Sequence, residues 1–252
     1  MKNLKQIGPF LAVSIVLLVG LEGLVRMQVI PDFIIPAPSG VLLFLWHNGL
    51  SLLRDHTLIT LWETFLGFLL ALVIGSCLAI GMSQVRWLER IFYPFVLLSQ
   101  TIPTIALAPI FILWFGYTIW SKVAISFLIA FFPIVIGLFD GLRGASQEQL
   151  ELFESLGATK RQRLWHLTFP SALPQLLSSM KMAVVYALVG ASIGEWMGAS
   201  QGLGYYSRRM SGNLNAEGVF ASIVLLSLLG ICLFLLIQLV EKKLIFWKET
   251  GD

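Results

Sequence analysis

Apolar runs of about twenty residues alternate with short polar stretches along most of the chain, and twenty residues is the length a helix needs to cross the hydrocarbon of a bilayer. Residues 7–25, 58–82, 91–115, 123–139, 176–197 and 219–240 form such runs. They predict an all-α polytopic membrane protein of about six transmembrane helices, organised as one membrane domain over residues 1–252. Lys2 and Lys5 precede the first run, as in a signal peptide, but no small-x-small cleavage site follows it. An uncleaved first helix is the expectation.

Three interruptions of the apolar pattern carry most of the information. Between the first two runs, Pro31, Pro36 and Pro38 forbid a continuous helix. Ser39 is placed to cap a following helix over residues 41–53, expected to lie along the outer surface. The third run contains Pro94, Pro103 and Pro109, with Ser99, Gln100, Thr101 and Thr104 gathered around Pro103. Freed carbonyls and an amide side chain are not tolerated against lipid. Gln100, Thr101, Pro103 and Thr104 are therefore expected to face other helices or a translocation pathway. In the fifth run, Glu195 is an intramembrane carboxylate, which is costly and faces a cavity or a partner. It is assigned to the outer part of the same pathway. Gly190, Gly194 and Gly198 recur at four-residue spacing and predict a smooth face for close helix packing.

The largest polar block lies at about residues 143–174. Leu150, Phe153 and Leu156 alternate with Glu148, Glu151 and Glu154, the pattern of a short amphipathic helix with an acidic start. Gly157 can end it in the left-handed conformation, with Ala158 next, and Thr159 can cap a second helix bearing Lys160, Arg161 and Arg163. Pro170 and Pro174 are expected to break the chain before the fifth span. The result is a helix–turn–helix elbow, too long and too ordered for a simple connection, and suited to docking on a partner.

Composition narrows the alternatives. The chain is 57% hydrophobic and 12% charged, against roughly a quarter charged in soluble domains. Of the seventeen Lys and Arg, only Arg26, Arg54, Lys122, Arg208 and Arg209 fall on the outer side if the N-terminus is inside. The inner side then holds Lys2, Lys5, Arg86, Arg90, Arg143, Lys160, Arg161, Arg163, Lys181, Lys242, Lys243 and Lys248, and both termini are cytoplasmic. The net charge of +3 thus reflects topology, and there is no basic stripe for nucleic acid. Cys77 and Cys232 lie within spans, and His47, His56 and His166 stand singly, so no disulfide framework, metal site or cofactor is expected. No G-x-x-x-x-G-K-[ST] occurs, so ATP hydrolysis is not expected on this chain. An ion-coupled secondary transporter would want paired carboxylates or histidines in several spans. An intramembrane enzyme would need a nucleophile with a base, or metal ligands. A structural membrane scaffold would leave the elbow without a purpose.

The elbow resembles the coupling loop of binding-protein-dependent ABC importer permeases: Glu151, Gly157 six residues on, Leu167 and Phe169, then Pro170. The chain departs from that pattern at Leu152 and Phe153, where the family carries Ala-Ala. The stretches "IIPAPSGV", "TIPTIALAPIFILWFGYTIWSKVAI" and "GEWMGASQGLGYY" are similar to the nitrate, sulfonate and taurine branch. "VVYALVGASIGEWMGASQGLG" is similar to permeases of hydroxymethylpyrimidine-type thiamine precursors. The resemblance implies a type I ABC importer (MetI-like) permease fold in the plasma membrane. It implies a separate ABC ATPase subunit, an extracytoplasmic substrate-binding protein and a second permease copy, as a homodimer, as partners. It also implies that Glu151, Glu154, Gly157, Ala158, Lys160, Arg161, Arg163 and Pro170 couple the permease to the ATPase.

Overall fold

The computed structural model describes residues 2–245, with the side chains of residues 2–7, 10 and 11 outside the described part. Lys248 and the side chains of Lys2 and Lys5, used above for orientation, fall outside it. Every regular element among the described residues is helical. These are α1 (Lys2–Arg26), α2 (Pro38–Ser51), α3 (Leu58–Gln84), α4 (Arg86–Ser99), α5 (Thr104–Phe115) and α6 (Ile119–Leu142). They are followed by α7 (Gln147–Ser155), α8 (Lys160–Arg163), α9 (Phe169–Gly198), α10 (Leu203–Gly212) and α11 (Ala216–Leu244).

The protein is an all-α polytopic membrane protein, with four to five apolar spans among the described residues. Four helical paths are long and apolar enough to cross a bilayer, and a bent pair makes a fifth if counted as one span. Several departures from the expected pattern have local causes. The helix expected to lie on the outer surface is continuous with the second span: Pro38 to Gln84 is one 47-residue helical path. A π-helical stretch at Leu52–Thr57 accommodates Arg54, Asp55 and His56 without a break, because no proline or glycine interrupts it. Ser39 does not cap this helix. Its backbone N–H and hydroxyl both donate to the Glu22 carboxylate, at 3.0 and 2.6 Å, while Pro38 takes the first helical turn.

The third expected span is two helices, α4 and α5, set at 104° across residues 100–103. Pro103 has no N–H to continue the helix and biases its predecessor away from helical geometry. Pro94 and Pro109 lie inside α4 and α5 without ending them. Conversely, Pro170 and Pro174 do not break the chain. Helix runs from Lys160 to Gly198, and Pro170 follows directly on a π-turn at Leu164–Thr168, whose altered bonding pattern accommodates a residue without an N–H.

The bundle is organised on α6 and α9, with α3 against α6. Its core holds Ile134, Val135, Leu138 and Phe139 from α6, Ala183, Val184 and Ala187 from α9, and Ala71, Ala79 and Met82 from α3. Small residues set the approach of α6 and α9. A Cβ on Gly190 would lie 2.6 Å from the Ser126 Cα, and one on Gly194 would lie 2.9 Å from the Lys122 Cα. Gly198 meets the Tyr117 ring, so the expected glycine face is the one that packs. By contrast α1 meets the chain mainly at α2 and exposes Val13, Val16, Leu17 and Val19.

Candidate functional site

Three features combine order with unusual chemistry: the elbow, a polar cage around Glu195, and a cavity at the broken span. The elbow folds by short-range contacts. Ser146 and Gln149 form a reciprocal capping box at the start of α7. At its end the Ala158 N–H donates to the Phe153 carbonyl and the Gly157 N–H to the Glu154 carbonyl, with Gly157 at φ +73°. That is a Schellman stop, which requires a residue tolerant of positive φ. Thr159 and Gln162 form a second capping box that starts α8. Arg163 pairs with Glu154, fastening the two helices of the elbow to each other. Glu151 accepts from Gln147 at 3.1 Å, and Lys160 and Arg161 are exposed.

The apolar side of the elbow divides in two. Leu150 and Phe153 are half-buried, whereas Leu156 is 73% exposed, because α7 stops one residue before it. Leu152 is 57% exposed on the turn before Leu156, and the two form a small apolar knob. Around the elbow base, Arg143 pairs with Glu89 at 2.8 Å, and Lys181 pairs with Glu241 at 2.7 Å. The first pair ties the start of α4 to the base of the elbow, and the second ties α9 to the last turns of α11.

At the opposite end, Glu195 is wholly buried. Its Oε1 accepts from the Thr60 hydroxyl at 2.6 Å and its Oε2 from the Gly204 N–H at 2.6 Å. The Leu203 N–H donates to the Thr60 oxygen at 2.9 Å, and the Gly202 N–H meets His56 Nδ1 at 3.1 Å. The carboxylate therefore sits on the first N–H groups of α10, where the helix dipole favours negative charge. It ties together α3, α9 and α10. Glu63 and Lys122 are its electrostatic neighbours, both buried, and Lys122 Nζ donates to the Thr118 carbonyl at 2.9 Å.

The broken span opens a cavity of about 210 Å³ toward α6 and α9. Ser99, Gln100 and Thr104 line it from the break, Phe132 and Pro133 from α6, and Tyr186 from α9. Thr101 does not line it; its hydroxyl donates back to the Leu98 carbonyl at 2.7 Å, and Pro103 is exposed at the bend. Of the residues assigned to a pathway, the structure thus brings Gln100 and Thr104 to one cavity and sets Glu195 apart from them.

The sequence profile of the family described as binding-protein-dependent transport system inner membrane component matches residues 67–246. The chain belongs to this family. It is the permease subunit of an ABC-type importer for a small organic solute, and hydrolysis of ATP resides on a different subunit. The permease is 45% identical to a formylaminopyrimidine transport permease protein of Halalkalibacterium halodurans, over 86% of this chain and 87% of the relative. It is 35% identical to a riboflavin transport system permease protein of Chloroflexus aurantiacus, over 93% of this chain and 88% of the relative. Its fold matches a chain of an inward-facing MetNI methionine ABC transporter with a TM-score of 0.68, covering 77% of the permease and 95% of that chain at 21% identity.

Sequence reasoning passed over several residues of these sites. Glu63 stands in an apolar run three positions after Thr60, a visible signal for a buried polar group. Lys122, at the start of α6, reads as an ordinary interfacial cation until its burial is seen. Nothing in local pattern marks Phe132 and Tyr186 as neighbours of Gln100, because they come from different helices.

Proposed function

We propose that this permease works as one of two copies in an ATP-driven importer of a small aminopyrimidine-type solute, oriented with both termini and the elbow in the cytoplasm. The elbow, over about residues 143–174, would be the part gripped by the ATPase subunit. An extracytoplasmic binding protein would deliver solute at the opposite end, near α10. ATP binding would draw the two elbows together and turn the spans from inward-open to outward-open, a two-state change biased from both sides.

The observation that carries this reading is the construction of the elbow. Two capping boxes, a Schellman stop and the Glu154–Arg163 pair make it rigid, and it still presents Leu152 and Leu156 unburied. A rigid unit with an uncovered apolar knob suits force transfer to a groove on another subunit. The orientation is supported by charge: Arg86, Arg143, Lys160 and Arg163 line one pocket at the elbow end, with Arg161 exposed beside them. The solute class follows the name of the Halalkalibacterium halodurans relative.

The test is reconstitution of the permease with its ATPase and binding protein in liposomes. Uptake of a labelled formylaminopyrimidine should require ATP and all three components. Uptake that persists without ATP, or follows an ion gradient, would overturn the proposal in favour of a secondary transporter.

A further inference from the structure

The cavity at the broken span has an uncommon lining for a site inside a membrane protein. No Lys, Arg, His, Asp or Glu lines it. Yet it is not wholly apolar: Gln100, Thr104 and Tyr186 line it, and none of their side chains hydrogen-bonds another described residue. Pro133 adds to this. It has no N–H to give the Ile129 carbonyl one turn back, and Ile129 also lines the cavity. The lining therefore offers an amide that both donates and accepts and two hydroxyls, all without partners among the described residues, beside a carbonyl that Pro133 cannot serve. Phe132 and Tyr186 contribute aromatic surface beside them.

From this geometry we infer that the permease has a solute site of its own at the α4–α5 break, selective for an uncharged, planar, single-ring heteroaromatic solute over an organic anion. The inference rests on the importer reading above and adds a second selection step to that of the binding protein. Size is the first argument. The cavity, at about 210 Å³, is smaller than the roughly 300 Å³ at which pockets for drug-sized ligands begin, so it suits one substituted ring rather than a fused three-ring system. Charge is the second. A sulfonate moved out of water needs a paired cation, and the lining has none. The N-terminus of α5 supplies only a partial positive charge, felt within its first turn. Matching is the third. A ring nitrogen beside an exocyclic amino group presents an acceptor and a donor side by side, which one Gln amide meets in both respects. An aromatic ring face is matched by Phe132 and Tyr186. A site without charge also releases its solute readily, which suits a route that must not retain what it carries.

The experiment measures equilibrium binding to the purified permease–ATPase complex without the binding protein. The probes are labelled formylaminopyrimidine, with unlabelled ethanesulfonate and taurine as competitors. Saturable binding, displaced by unlabelled aminopyrimidine and not by ethanesulfonate or taurine, is the expected result. Gln100→Leu and Tyr186→Ala should each weaken it by about ten-fold or more. Tyr186→Phe, which keeps the ring, should weaken it less. Co-purification of each variant with the ATPase shows that it remains assembled. Absence of pyrimidine binding, equal competition by ethanesulfonate, or wild-type binding by both Gln100→Leu and Tyr186→Ala would overturn the site. If ATP-driven pyrimidine uptake still runs in liposomes, only the site falls. If uptake is also absent, the importer reading for this solute falls with it.

Discussion

The elbow and the Glu195 cage are both held by dense hydrogen bonding, and they are built on opposite plans. The fastenings within and between the two helices of the elbow join residues close in sequence: Ser146 with Gln149, Thr159 with Gln162, Glu154 with Arg163. Its charged groups are largely exposed. The cage joins residues far apart, with Thr60 and Glu195 separated by 135 positions, and its groups are buried. A locally fastened, solvated unit can move as a body and be gripped without disturbing the bundle. A buried long-range cage holds three helices in one arrangement and is lost only when they separate. The plan of the elbow agrees with the coupling role proposed for it, and the cage fixes the far end of α9 against α3 and α10.

Perturbations should follow that division. The largest effect on stability is expected from Glu195→Ala, which leaves the Gly204 N–H without a buried acceptor and the Thr60 hydroxyl without its own. A loss of about 2–4 kcal/mol is expected, read as a lower thermal unfolding midpoint in detergent. Glu195→Gln, which keeps one acceptor oxygen, should lose less. Next is Gly190→Ala at the α6–α9 crossing. The added methyl meets Ser126 backbone rather than a movable side chain, and about 1–3 kcal/mol of overpacking cost is expected in the same assay.

The elbow variants should reverse the pattern. Gly157 faces open space, so Gly157→Val meets no clash and is opposed only by its φ of +73°. The bundle should keep its unfolding midpoint, while co-purification with the ATPase falls. Unchanged co-purification with full ATP-driven uptake would break the comparison. The smallest effect belongs to the Glu154–Arg163 pair, half exposed to water. A double-mutant cycle with Glu154→Gln and Arg163→Gln should return a coupling of about 1 kcal/mol or less. Any larger value would mean that the elbow is part of the bundle's stability after all.

The same division decides what can be read from sequence. The elbow was legible: Glu151, Gly157, Thr159 and Arg163 carry their instructions within a few residues, and caps and stops obey local rules. Even there, the full helical path from Lys160 to Gly198 was missed, because a π-turn directly before it accommodates Pro170. The break at Pro103 was legible as a weak point, but not as a 104° bend. The glycine face of α9 was legible because close packing repeats at helical spacing. The cage was not. Glu195 stood out as costly, but nothing in its neighbourhood names Thr60, Glu63 or Lys122 as the groups around it. Tertiary contact alone also assembles Gln100, Phe132 and Tyr186 into one cavity.

The most direct test of the coupling role given to the elbow is cross-linking from Leu156. Cys77 and Cys232 would first be replaced by Ala, and Leu156→Cys introduced in the permease assembled with its ATPase in liposomes. A short bifunctional thiol reagent should join position 156 to the ATPase, with a yield that changes when ATP is trapped. A single cysteine at Leu214, on the loop between α10 and α11 at the cage end and 73% exposed, should give no such product. Cross-linking from Leu214→Cys but not from Leu156→Cys, in complexes that import solute, would contradict the account.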